Sequence, residues 1–395
     1  MDAFTVIDKD QYEYSIDRQI SRGTLVQVSI ADIHFGAIDP KTQYDILYEQ
    51  FICELYKLPV LDAIFINGDL FHKKYPNAAA SDEVLYASIF MAEIRNLAVA
   101  KQATVILLSG TKSHDADQLS LFYHYLYDPE FDIRIVQEIK FEYVKGSKVL
   151  CIPELYDVDE EIYKEFLFNS GWYDQAIMHG TFEGAIYGNN AGRSRLFTIN
   201  DFVNCRGPIL AGHVHVAGCY NKYFYYSGSP IRWQHGEEKE KGFMITLFNL
   251  DNGSHYTHMI PIKSFRYRVI NFDDLVFMAI TKPEDVIKYL NDLKEKDHID
   301  YLRLDFNMDS MSQEDMDIIK KYYQTDETVK FKTETCKPSN MKSNNTEELN
   351  QYNYIFDPNL DEYQILSRYI NDKEGKLFIT AEQLRSIILD DKFDF

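Results

Sequence analysis

Short apolar runs recur along the first half of the chain, and each ends in a compact polar cluster. Leu25-Val-Gln-Val-Ser-Ile30 leads to Asp32, Ala63-Ile-Phe-Ile66 to Asn67-Gly68-Asp69, and Thr104-Val-Ile-Leu-Leu108 to Ser109-Gly110-Thr111. Runs this short and rich in branched residues predict buried strands. Between them the pattern predicts helices, from Gln43 to Lys57 and from Asp82 to Val99, with Ser81 placed as an N-cap. The alternation predicts βαβ units and an α/β sheet. Ligands of such sheets gather beyond the carboxyl ends of the strands, where each polar cluster falls.

The middle of the chain is richer in strands. Ile133-Arg-Ile-Val136, Phe141-Glu-Tyr-Val144 and Val149-Leu-Cys-Ile152 come first. Ala176-Ile-Met178 precedes His179, Ile209-Leu-Ala211 precedes Gly212, and Tyr223-Phe-Tyr-Tyr226 precedes Ser227-Gly228. Phe243 to Phe248 is expected to be the closing strand of a catalytic domain spanning 24–261, behind a polar lead-in at 1–23.

Residues 262–332 predict a small unit in strand-helix-strand-helix-strand order. Its strands are Tyr267–Ile270, Tyr301–Phe306 and Val329–Lys332. Its helices are Pro283–Leu293, with proline in the first turn, and Ser312–Tyr323, opened by a Ser312-x-x-Asp315 box. Residues 333–356 are polar and rich in Ser, Asn and Thr, as a linker is. At 357–395 two apolar stripes, Leu360, Tyr363, Leu366, Ile370 and Leu384, Ile387, Ile388, predict a helical hairpin.

Composition narrows the class. At 45% apolar and 14% aromatic residues the chain is globular. Five scattered cysteines without a CxxC pair fit a reducing compartment and exclude a zinc ribbon. No secretory h-region and no apolar run of membrane length is visible, so a cytoplasmic protein without membrane contact is expected. The net charge of −21 argues against a stand-alone DNA binder.

Six of the eleven histidines lie in five motifs that follow predicted strands: Asp32-Ile33-His34, Gly68-Asp69 with His72, Gly110 to His114-Asp115, His179-Gly180, and Gly212-His213-Val214-His215. Two divalent cations acting together on a phosphodiester need a bridging carboxylate and neutral imidazoles. Asp69 is the bridging candidate, Asp32 and His34 suit one ion, and Gly212 opens a turn that presents His213 and His215. Any one motif alone is weak; their order points to a metal-dependent phosphoesterase. His124, His235, His255, His258 and His298 read as structural or surface residues.

With these motifs in this order, residues 24–261 resemble the calcineurin-like metallophosphoesterases, and within them the SbcD-type DNA-repair nucleases of bacteria and phages. The resemblance implies a four-layer β-sandwich flanked by helices, with a small α/β capping domain and a C-terminal helical hairpin. It implies a first metal on Asp32, His34, Asp69 and His215, and a second on Asp69, His179, His213 and an Asn before the catalytic histidine. That Asn is missing: Gly110-Thr111-Lys112-Ser113-His114 is two residues longer than the family's motif and puts Ser113 in its place. His114 matches the catalytic acid, Asp115 a residue that orients it, and His72 the histidine that positions the scissile phosphate.

The implied function is a nuclease subunit of a DNA repair or recombination complex. It would be a 3′–5′ exonuclease on double-stranded DNA and an endonuclease on single-stranded DNA, using two Mn2+ or Mg2+. The implied partner is an SbcC-type, SMC-like coiled-coil ATPase docked on the hairpin, with the nuclease a homodimer inside a heterotetramer in the cytoplasm, or in the host cytoplasm if phage-encoded. The ATPase would supply the basic surface the chain lacks; local DNA-binding candidates are Arg193, Arg195, Arg232, Arg266 and Arg268, with Lys263. The helices at 43–57 and 82–99 are candidates for the dimer contact. A phosphodiesterase of nucleotides or small molecules on the same fold, and a scaffold subunit with weakened catalysis, stay open as alternatives.

Overall fold

In the computed structural model of the chain, residues 23–76, 81–156, 158–183, 185, 195–307 and 311–334 are described. The lead-in up to residue 22, Arg193, almost all of the expected linker and the whole expected hairpin lie outside them. The described residues from 23 to 306, with 311–332, belong to one compact unit.

Strand β1 (Thr24–Ile30) is followed by helix α1 (Pro40–Leu47), a π-helical turn (Tyr48–Ile52) and α2 (Cys53–Lys57). Asp39 caps this helical stretch by accepting the Thr42 N–H at 2.8 Å, so it starts three residues earlier than the apolar pattern predicts. Next come β2 (Ala63–Asn67) and α3 (Asp82–Lys101). The Ser81 hydroxyl caps α3 by accepting from Val84 N, as expected, and Gln102 ends it in the left-handed conformation.

Strand β3 (Thr104–Leu108) leads into a 3-10 stretch (Ala116–Tyr127) that the sequence pattern does not announce. Beyond it are β4 (Ile133–Val136), β5 (Lys140–Val144), β6 (Ser147–Ile152), α4 (Glu160–Lys164) and β7 (Gln175–His179). A two-residue pair, β8 (Thr181–Phe182) and β9 (Leu196–Phe197), precedes β10 (Ile209–Gly212), β11 (Gly218–Tyr220), β12 (Phe224–Tyr226), β13 (Gly242–Asn249) and β14 (His255–Pro261).

Two six-stranded sheets result, one in the order β14-β13-β1-β2-β3-β4 and the other β11-β12-β10-β7-β6-β5. Each has a parallel centre, β1-β2-β3-β4 and β12-β10-β7-β6, extended by antiparallel strands, on one side in the first sheet and on both sides in the second. Strand β13 is therefore not the closing strand expected from the sequence. It lies between β1 and β14, and the polar alternation of His255-Tyr-Thr-His258 hid that edge strand.

Alternate residues of the central strands serve different cores, as the two-residue period requires. Ala63, Phe65, Ile106 and Leu108 of one sheet share a core with Val149, Cys151, Ile177 and Leu210 of the other. Ile64, Ile66, Val105 and Leu107 pack instead with Phe51 and Leu55 of the first helical stretch and Phe90, Ile94 and Leu97 of α3. Leu150, Met178 and Ala211 of the second sheet pack with Tyr163 and Leu167. The fold is thus a mixed α/β architecture with helices packed against both sheets.

The remaining segment has its own apolar core, with Leu290, Leu302, Leu304, Met316 and Ile319 fully buried. It contains β15 (Tyr267–Asn271), α5 (Phe272–Phe277), α6 (Pro283–Lys296), β16 (Tyr301–Asn307), α7 (Gln313–Tyr322) and β17 (Val329–Glu334). Its sheet order is β15-β16-β17, and only the short α5 goes beyond the predicted sequence of elements. No helix among the described residues is long and apolar enough to cross a membrane.

Candidate metal centre

The chemistry-bearing motifs leave the carboxyl ends of adjacent parallel strands. Ile30 pairs with Ile66 and Asn67 with Leu108 in one sheet, and His179 pairs with Gly212 in the other. Just past these ends the backbone turns sharply. Asp32, His34, Asp69 and His213 all have positive φ, between 52° and 97°. Non-glycine residues in this region are uncommon and strained, and they cluster where surrounding structure over-determines them. A Cβ on Gly68 would lie 2.3 Å from His179 Nδ1, and one on Gly110 2.3 Å from the Asp69 amide. Glycine at 68 lets the β2 loop close on His179 of the other sheet, and glycine at 110 lets the neighbouring β3 loop close on Asp69.

Two donor groups form there. His34 Nε2 and His215 Nε2 face each other at 3.1 Å, with Asp32 completing the first group. Glu154, His179 and His213 form the second; Glu154 Oε2 is 3.2 Å from His213 Nδ1 and 3.6 Å from His179 Nε2. Asp69 Oδ2 stands between the groups, 3.3 Å from His179 Nε2 and 3.8 Å from His34 Nε2. His114 joins His34 and Asp69 in a further cluster. Bonds of about 2.1 Å to one ion separate neighbouring ligand atoms by about 3.0–3.5 Å, so these spacings fit divalent cations.

The imidazoles are oriented from behind. His179 Nδ1 donates to the Asn67 carbonyl at 2.7 Å, which turns Nε2 toward the carboxylates. His215 Nδ1 is 3.2 Å from Glu237 Oε1, and that carboxylate is held by the Trp233 N–H and the buried Lys241 ammonium. Lys241 also donates to the His215 carbonyl and the Ser229 hydroxyl. Asp32 accepts the His213 N–H on both oxygens, at 2.9 and 3.0 Å. His114 Nδ1 donates to the His72 carbonyl, and the rings of His34, His72 and His215 each lie within 6 Å of Trp233.

Electrostatics reinforce this picture. Burial holds His34 well below the ordinary imidazole range and lowers His72, so both are neutral. Burial pushes Asp32 up, against the pull of His179. Burial also opposes ionisation of Asp69, yet His179, His34 and His114 hold it far below the usual carboxylate range. His179 loses hydration on burial, yet Asp69, Asp32 and Glu154 raise it well above the ordinary imidazole value, a pull toward positive charge that a bound cation would satisfy in place of the proton. Glu154, desolvated to a lesser degree, is pulled to about 2 by His213, His179 and Tyr156. Three carboxylates share this pocket with few cations, and desolvated anions need a positive partner. The donor set fits the expected cations.

The structure thus brings together Asp32, His34, Asp69, His114, His179, His213 and His215, with His72 at the rim. It corrects other expectations. Ser113 is exposed, whereas Thr111 donates through its amide to Asp69 Oδ1 at 2.6 Å and through its hydroxyl to Glu154 Oε2 at 2.9 Å. Thr111, directly after Gly110, thus takes the inward position expected of Ser113.

Asp115 does not orient His114. Fully buried, it accepts the N–H groups of Asp69, Leu70, Phe71 and Gly110, and so clamps the loop that carries Asp69. Burial beside Asp69 raises its carboxyl to about 7, against the pull of those N–H groups.

The arginines are engaged within the chain. Arg195 pairs with Glu160 and Asp201, Arg268 with Glu238 at 2.6 Å, and Arg266 donates to the Asp297 carbonyl at 2.8 Å. Arg232 is 7% exposed and donates to the Glu238 carbonyl. Sequence reasoning missed Glu154, Thr111, Glu237 and Trp233. Glu154 did carry a signal, because it too follows a strand run, Val149-Leu-Cys-Ile152.

No family model matches the chain, and no curated protein matches it. One solved crystal structure is similar at 13% identity and a TM-score of 0.39, over 60% of this chain and 99% of its own. A likeness that distant carries no argument about fold or function.

Proposed function

We propose that the chain is a two-metal phosphodiesterase of the metallophosphoesterase class that cuts DNA as the nuclease subunit of an SbcCD-type complex. One observation carries this reading: donors from five separate strand ends meet in two buried groups joined through Asp69, with His114 and His72 alongside. Two six-stranded sheets with a shared interior and helices packed against both support the four-layer metallophosphoesterase arrangement.

Bound cations polarise a phosphodiester and activate water. The chain's own residues do the rest. The His72 carbonyl fixes one nitrogen of His114, leaving the other to hand a proton to the leaving oxygen. His72 is neutral and its Nδ1 is buried without a hydrogen-bond partner, which suits it to a phosphate oxygen. Trp233 covers this side of the site and limits water. The −21 charge supports an ATPase partner that contributes basic surface; its expected docking segment, 357–395, lies outside the described residues. Exposed Tyr48 on the π turn, Tyr56 on α2 and Leu85 on α3 support the homodimer.

One observation favours a small-molecule phosphodiesterase instead: Arg195, Arg232, Arg266 and Arg268 are all tied within the chain. Incubation of the purified chain and manganese with end-labelled duplex DNA, beside His72→Ser and Asp69→Asn, separates the readings. The DNA reading expects stepwise nucleotide loss that Asp69→Asn abolishes. Hydrolysis of cyclic nucleotides with intact DNA would move the substrate to the small-molecule class. A protein that binds no manganese would end both.

A further inference from the structure

The structure assigns to Glu154 the role of a direct ligand of the second metal, held in place by Thr111 and Tyr156, where the resembling motif has a neutral amide. This inference rests on the two-metal reading above. The carboxylate caps β6, and its side chain is 1% exposed. Tyr156 donates to Oε1 at 2.9 Å. Oε2 receives the Thr111 hydroxyl at 2.9 Å and faces His213 Nδ1 at 3.2 Å and His179 Nε2 at 3.6 Å. One oxygen is therefore anchored and the other points at both imidazoles of the second group. Thr111 ties Glu154 to the bridging candidate as well, since its hydroxyl lies 3.0 Å from Asp69 Oδ2.

The substitution changes the charge of the site. An amide would leave two carboxylates, Asp32 and Asp69, facing two dications. Glu154 makes three. A further anionic oxygen favours hard divalent cations such as Mn2+ and tightens their binding. It also withdraws some of the positive charge that polarises the phosphate. The second position is thus expected to hold its metal firmly and to act as a milder electrophile than an amide-ligated one.

Manganese binding to the full chain tests this, by calorimetry for stoichiometry and by electron paramagnetic resonance for spin coupling between neighbouring ions. Wild type and Ser113→Ala should each bind two ions with a coupled spectrum. Glu154→Ala should bind one, with the spectrum of an isolated ion. The remaining ion also reports that the first group is folded. Glu154→Asn keeps an oxygen donor and should retain both ions, with the second at least about tenfold weaker. Two coupled ions of unchanged affinity in Glu154→Ala would overturn the assignment, as would loss of both ions in Glu154→Asn or of one in Ser113→Ala. A wild type that binds no manganese would instead remove the two-metal reading on which the assignment rests.

Discussion

The strand-end loops of the two large sheets and the segment from β15 to β17 follow opposite rules. The loops hold Asp32, His34, Asp69 and His213 at positive φ and bury Asp32, His34, Asp69, Asp115, Glu154 and His179. The segment of residues 267–334 has only Ala279 and His298 at positive φ, each just after a helix, and no buried polar residue among those described. Its core is apolar, and its helices start with Pro283 and the Ser312 cap. In one region local preference and global fold agree. In the other, backbone strain and buried charge are concentrated where donors converge, as expected of a functional site.

The contrast can be broken most sharply at His114. Replacing it with Ala should slow phosphodiester hydrolysis about 100- to 10,000-fold while bound manganese stays at the wild-type level. Parallel loss of metal would make His114 a ligand and not a proton donor. Asp115→Asn comes next. It places an amide against four N–H donors and should lower stability by about 4 kcal/mol, read by chemical denaturation, and weaken manganese binding with it. An unchanged denaturation midpoint would show that the Asp69 loop stands without its clamp.

In the segment with the apolar core, Leu304→Ala should cost about 3 kcal/mol and leave the metal count untouched. Metal loss there would mean that the two regions are coupled more tightly than their separate cores suggest.

The smallest effect is expected at Glu237→Gln, about 10- to 100-fold in affinity for the ion on His215. Burial opposes ionisation of Glu237, but His215, Lys241 and the Trp233 N–H hold its carboxyl below the usual value. Its stabilising contribution is therefore present above the unfolded pKa of about 4.3 and is lost as pH falls through the lower folded value. Acid denaturation of wild type should show that loss, and Glu237→Gln should lack it.

Legibility in the sequence followed the same division. Strands β1, β2, β3, β7 and β10 were readable because parallel strands buried on both faces are continuous apolar runs. The motifs stood out as polar breaks at their ends. Strand β14 was missed because His255 to His258 alternates polar and aromatic residues without an apolar run. Thr111 could not be chosen over Ser113, because an insertion in a turn leaves its register undefined until the turn is built. Glu154 was passed over because a single glutamate after a strand is ordinarily a surface residue. Only the order of its own sheet, which sets β6 beside β7 and β10 and so brings His179 and His213 next to it, singles it out as a candidate ligand. Asp115 was assigned to its sequence neighbour, whereas its hydrogen bonds reach back more than forty residues to Asp69, Leu70 and Phe71.

His34 and His215 are separated by 181 residues in the chain and by 3.1 Å in space. Closing so long a loop between strands of two different sheets is a slow, non-local event. During synthesis the first sheet can pair β1, β2 and β3 well before β10 leaves the ribosome, but neither donor group is complete until it does. A metal bound there would link strands of both sheets and add its binding free energy only to the finished form. On the two-metal proposal, metal occupancy would double as a report of complete folding, and a chain interrupted before Gly212 should be unable to hold either ion.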